Sequence, residues 1–218
     1  MSTGEMQTFE LLHQAGLHAN DKRKFAYGAD LLLQAYNTAA NPLQQVNALV
    51  PLARSEWNTN DLIGARQHLE TAQEIAVKYD MPGEAAMALA GLGRLATIQA
   101  LLLPRQERQT AIRDRALPLF QAAGEMLDKL EPPHPYYSYA AASYGALSAA
   151  VAGERELATE YLTNGLGVAF KKSHGHDEGK RPARISPAGL KRFLVAATMI
   201  PLGEYTPIFP LLARKLIK

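Results

Sequence analysis

"LARSEWNTNDLIGARQHLETA", running from Leu52 to Ala72, decides the fold. Leu52 and Ala53 are a large residue followed by a small one on a first helix. Asn58-Thr59-Asn60 reads as a tight turn. Ala65, Leu69 and Ala72 follow at spacings of four and three, which puts them on one face of a second helix. The alanines let two helices approach closely, and Leu69 fills the space beside them. Ala53 and Ala65 are twelve residues apart. One such helix pair cannot bury its apolar face alone, so the pattern should recur along the chain.

It does, with drift. Ala15-Gly16 opens a first unit, completed by Ala29, Leu33 and Tyr36 after one extra residue. Leu92-Gly93 opens a third, completed by Ala116, Phe120 and Ala123 after a long insertion. Gly145-Ala146 opens a fourth, with Ala158, Leu162 and Gly165. Measured between Gly16, Ala53, Gly93 and Ala146, the steps are 37, 40 and 53 residues.

This pattern resembles the tetratricopeptide repeat, whose step is about 34 residues. The resemblance rests on the large-small pair of helix A and the alanine, bulky residue and alanine of helix B. It covers residues 5–172, with the lengthened, degenerate repeats seen in bacterial signalling and transcription regulators. It implies an all-α fold, a right-handed superhelix of antiparallel helix pairs with about four units. The domain expectation is a repeat array over 1–172, a basic hinge over 173–186 and C-terminal capping helices over 187–218. A different α-α superhelix is the alternative.

Apolar periodicity and cap signals place helices near 5–19, 23–39, 42–58, 61–79, 83–103, 106–130, 135–152, 154–172, 187–200 and 206–217. Asn41-Pro42 with Gln44 reads as an N-cap, an N1 proline and a capping-box partner. Ser186-Pro187 and Thr206-Pro207 repeat the cap-proline form. Ala152-Gly153 marks a turn. Pro51 and Pro118 fall inside proposed helices, where each removes a hydrogen bond and should kink or split the helix.

Composition narrows the function. The chain has 218 residues, 47% of them hydrophobic and 20% charged, which suits a folded domain or an array. It has no cysteine, so neither a disulfide framework nor a thiolate metal site can form. The start, MSTGEMQTFELLHQAG, does not read as a signal peptide. The longest apolar run, Leu95 to Leu103, is too short to span a bilayer. A soluble, cytoplasmic protein is expected. From Lys171 onward, ten Lys/Arg against three Asp/Glu give +7, and the overall +2 leaves −5 for residues 1–170. A basic section on an acidic body suggests docking to something anionic, or a contact between the two parts.

The stretch KKSHGHDEGKRPARIS, Lys171 to Ser186, holds His174 and His176. Histidines two apart cannot share a helix face, and four fixed zinc ligands are not available nearby. It reads as a basic hinge, with no metal and no cofactor. The glycines of Gly91 to Leu95 do not follow a strand, so the dinucleotide fingerprint fails and close helix approach explains them better. With no nucleophile elbow and no phosphate loop, the chain is not read as an enzyme. The aromatic cluster from His134 to Tyr144 reads as packing between repeats, or as a peptide anchor.

In the tetratricopeptide family, helix A of each unit lines a concave groove, and the residue after the small one faces into it. The resemblance carries that position to Arg54 and Arg94. Further groove positions match Asn47, Val50, Trp57 and Asn58 in unit two, and His13 and Asn20 in unit one. Two arginines beside amides could bind a carboxylate or phosphate bidentately, or pair internally with acids such as Glu56 or Glu84. The expected function is a non-catalytic module that binds a protein or peptide segment, an acidic one, in the groove. The alternatives are a sensory or scaffold component of a regulatory system, or a binder of nucleic acid or another anionic surface through the basic C-terminal section. Nucleic acid is disfavoured because aromatic residues rarely interleave with the basic ones there. A homo-oligomer through the C-terminal helices stays open.

Overall fold

The structure is a computed structural model that describes residues 3–132, 134–161 and 163. The helices are α1 (Thr3–Asp21), α2 (Phe25–Thr38), α3 (Pro42–Asn58), α4 (Leu62–Lys78), α5 (Pro82–Leu101), α6 (Arg105–Ala111), α7 (Leu117–Asp128) and α8 (Pro135–Ala152). A π-helical turn, Ile112–Ala116, joins α6 to α7. The chain is helical again over 155–161, and the described residues contain no strand. The expected all-α repeat of helix pairs is what the chain forms. The expected hinge over 173–186 and capping helices over 187–218, with His174 and His176, lie outside the described residues.

Three of the turns are built alike. Arg23, Asn60 and Asp80 have φ of 58°, 69° and 52°, each just past the end of a helix. In each case the next N–H reaches back five residues: Lys24 to Ala19 O at 2.9 Å, Asp61 to Glu56 O at 2.8 Å, Met81 to Ala76 O at 2.8 Å. One left-handed residue thus satisfies the last carbonyls of a helix and reverses the chain. Gly153, with φ of 86°, ends α8 in the same way. Helix starts are as the sequence signals. Asn41 Oδ1 accepts from Gln44 N–H at 2.9 Å, and Gln44 Oε1 accepts from Ala40 N–H at 2.8 Å. Asp61 caps α4 by accepting from Gly64 N–H at 2.9 Å.

Contacts divide the chain into two compact units, Met1–Leu95 and Ala96–Lys218. In the first, α1 packs on α2, α2 on α3 and α3 on α4. Ala53, Ala65, Leu69 and Ala72 are all fully buried, as the opening stretch requires. A Cβ on Gly91 would lie 2.6 Å from a methyl of Leu69, so that glycine serves close helix approach.

Unit one has a different register from the one expected. Leu33 is 43% exposed, whereas Leu32 and Ala35 are fully buried and Gly28 is buried. The pattern is therefore Gly16, Gly28, Leu32, Ala35, with the same twelve-residue step as Ala53 to Ala65 and no extra residue. Sterics enforce it. A Cβ on Gly16 would stand 2.6 Å from Leu32 Cγ, and one on Gly28 would stand 2.4 Å from Asn20 Oδ1. The sequence pattern points to the neighbouring Ala29, yet glycine is what fits where α1 and α2 nearly touch.

The prolines behave in two ways. At Pro118 the helix expected over 106–130 continues: Ala111, Ile112, Ala116 and Leu117 all keep right-handed helical dihedrals, and the ladder widens into the π-helical turn Ile112–Ala116 just before the proline. At Pro51 the helix also continues, since α3 runs from Pro42 to Asn58. His13, described below, supplies the reason.

In the second unit, Ala116, Phe120 and Ala123 are buried as expected. Thr97 and Ser148 share a buried 2.8 Å hydrogen bond. Arg113 bonds Glu154 and also donates to Ala152 O at 3.1 Å, closing the end of α8. Glu154 is thus a paired residue. Ala158 is buried, and a Cβ on Gly145 would meet the Tyr161 ring at 3.2 Å. Burial, helped by Glu160 and Glu125, pushes the Tyr161 phenol up to about 12. Leu162 and Gly165 of this unit lie outside the described side chains.

Candidate functional site

Helix α3 has two faces. Val46, Ala48, Leu49, Leu52, Ala53 and Ser55 are buried. Asn47, Val50, Arg54 and Trp57 recur every three to four residues on another side and are partly buried. The face named from the sequence is therefore the less buried side of a well-packed helix.

Trp57 and Arg94 come together. The Arg94 guanidinium carbon lies 4.6 Å from the centre of the Trp57 ring, within cation–π range. Arg94 is only 7% exposed. The expected pair of open groove arginines therefore becomes one partly exposed arginine, Arg54, and one buried arginine that backs Trp57. Residues Ala85 to Leu95 of α5 are buried almost without interruption, which leaves Arg94 no solvent to face. Trp57 Nε1 is buried, and no acceptor among the described residues reaches it. Asn58 Nδ2 donates to Arg54 O at 2.7 Å and so braces the last turn of α3.

The unit-one positions do something else. Pro51 has no N–H to give to the carbonyl of Asn47, four residues earlier. His13 Nε2 lies 3.0 Å from that oxygen. A carbonyl can only accept, so Nε2 carries the proton and donates. The His13 ring also stacks on Phe9, with centroids 5.4 Å apart. Asn20, 1% exposed, donates from Nδ2 to Pro51 O at 3.3 Å and accepts at Oδ1 from Ser55 Oγ at 2.8 Å. His13 and Asn20 thus act as internal braces on α3 around its proline. His134 caps α8, accepting at Nδ1 from Tyr137 N–H at 3.3 Å, and stacks on the Tyr137 ring. Both contacts lie within the start of α8 itself.

One pair was not foreseen. His68 Nδ1 lies 2.8 Å from Glu56 Oε2, linking α4 to the last turn of α3. The hydrogen bond to Glu56 raises the His68 pKa above its ordinary 6.5, burial opposes this, and the charges of Glu56 and Asp61 add to the rise. Glu56 is thus engaged by a histidine on the next helix. The spacing of the pair, twelve residues, is the spacing of Ala53 and Ala65, and that was the available signal. Among the described residues no three His, Asp or Glu side chains gather as metal ligands would. No described helix is long and apolar enough to cross a membrane.

A solved structure described as a Podosopora anserina putative kinesin light chain with nearly identical TPR-like repeats superposes on this chain with a TM-score of 0.57. The two share 18% identity, over 100% of this chain and 94% of that one. The fold is that of a TPR-like helical repeat. No family model and no curated protein matches the chain. The likeness at this identity concerns the fold.

Proposed function

We propose that the chain is a non-catalytic protein-interaction module whose first unit recognises an acidic peptide segment along α3. One observation carries the reading. Arg54 stands partly exposed one helical turn before Trp57, and Trp57 is held from behind by the buried Arg94. A guanidinium donor beside a fixed aromatic surface suits a carboxylate attached to an apolar or aromatic neighbour. Asn47 and Val50 extend the same face, and Asn58 fixes the backbone under Arg54. His13 belongs to the support of this face rather than to its surface. The TPR-like fold favours a protein partner in a scaffold or regulatory setting.

Trp57 is the chain's sole tryptophan, so its fluorescence reports on this face alone. Titration with acidic peptides should change its emission saturably. Arg54→Ala removes a charge-assisted hydrogen bond worth about 1.5–3 kcal/mol, which is roughly a ten- to hundred-fold loss of affinity. Arg54→Lys should restore only part, because the bidentate fork is lost. Peptide binding that ignores Arg54 would remove the proposed site. Binding to a single-stranded oligonucleotide instead, lost steeply with salt, would favour the basic C-terminal section.

A further inference from the structure

The turn between α3 and α4 is fastened by groups of two kinds. Asp61 N–H donates to Glu56 O at 2.8 Å, Thr59 N–H donates to the same oxygen at 3.0 Å, and Asn60 takes the left-handed conformation. These backbone bonds do not titrate. The Glu56 side chain adds a bond that does, crossing to His68 on α4 at 2.8 Å. Glu56 therefore both ends α3 and ties it to the next helix.

The fold does not need a polar pair there. Glu56 and His68 lie three residues beyond Ala53 and Ala65. The positions three beyond Gly16 and Gly28 in unit one are Ala19 and Leu31, an apolar pair. Unit two thus carries a histidine–carboxylate pair at positions where its own sibling has apolar residues. Apolar groups can replace such a pair without loss of fold, so its distinctive property is its response to protons.

We propose that the Glu56–His68 pair is a proton-operated latch on the α3–α4 turn, closed when His68 is an imidazolium and slack when it is neutral. Neutral His68 can still donate from Nδ1, so the hydrogen bond survives while the ion pair is lost. The groups facing His68 are Glu56 from α3 and Asp61 from the turn, both acidic; on α4 itself Arg66 is paired with Glu70 at 3.7 Å. Both facing carboxylates favour the charged ring. With the native pKa above the unfolded value of about 6.5, the latch stabilises fully below that pH and is lost as pH rises through the native pKa. Trp57 adjoins Glu56 in α3, so slackening reaches the turn that carries it. The latch stands whether or not that face binds a peptide.

The test uses the full chain. His68 imidazole resonances, assigned by their loss in His68→Gln, should titrate with a midpoint above 6.5 in the parent and at or below about 6.5 in Glu56→Gln. Melting temperature is then followed from about pH 6 to about pH 9. The double variant Glu56→Ala/His68→Leu, which copies unit one, should fold and should lack a fall in melting temperature that the parent shows. A parent midpoint at or below 6.5, or identical melting profiles for the two proteins, would overturn the latch. If the double variant fails to fold, the midpoint in Glu56→Gln still decides.

Discussion

Two polar residues in the first unit, His13 and Asn20, brace α3 around its proline. Pro51 interrupts the hydrogen-bond ladder of α3, and His13 donates to the carbonyl it leaves behind, at 3.0 Å from Asn47 O. The two positions should therefore be coupled. His13→Phe keeps the stack on Phe9 but removes the donor, leaving Asn47 O without its partner. That should cost about 1–3 kcal/mol, toward the lower end because the site is only part-buried. In a Pro51→Ala background the new N–H satisfies Asn47 O from within the helix, so the same His13→Phe change should cost clearly less. A double-mutant cycle by chemical denaturation measures this. Equal costs in both backgrounds would mean that the His13 bond does not substitute for the helical one. A sequence reader sees His13 and Pro51 thirty-eight residues apart and has no local reason to join them. That is why His13 resembled a groove residue.

At the scale of the helix, the register of α2 is the point on which sequence and structure part. Both Leu32 and Leu33 satisfy a helical period, and the choice between them depends on which small residue touches α1. The structure selects Gly28, because a side chain there would strike Asn20 Oδ1 at 2.4 Å. Asn20 in turn is fixed by Ser55 and the Pro51 carbonyl on α3. A contact among three helices thus sets a phase that the α2 sequence leaves open. Leu32→Ala should destabilise by about 2–5 kcal/mol, as loss of a fully buried leucine does. Leu33→Ala, at 43% exposure, should stay within about 0.5 kcal/mol. Urea denaturation of the two variants separates the registers, and the reverse ranking would restore the one with an extra residue. Where the small residue was alanine, as in α4, the phase was legible at once.

For the molecule as a whole, the helix count in the first unit and the α3–α4 repeat were readable because their signals are local. Caps and left-handed turn residues sit within a few positions of the helices they bound. The role of Arg94 was not readable, because it depends on how completely α5 is buried. Alanines dominate α5, and they give little sign of which face is covered. Its burial implies that α5 is structural for the first unit. Leu69 of α4 lies against Gly91, and Trp57 of α3 lies against Arg94. In a helical array each pair depends on its neighbour for a covered face, so removing α5 should cost more than the residues it deletes. A fragment of residues 1–101, which keeps α5 whole, should melt cooperatively by circular dichroism and keep the Trp57 emission of the full chain. A fragment of residues 1–81 ends before Pro82 and strips the cover from Leu69 and Trp57. Its tryptophan emission should shift to the red, and its melting should broaden or give way to aggregation. If the shorter fragment kept both the emission and the cooperative melt, the buried arginine would be incidental to the unit, and Trp57 would hold its place through α3 and α4 alone.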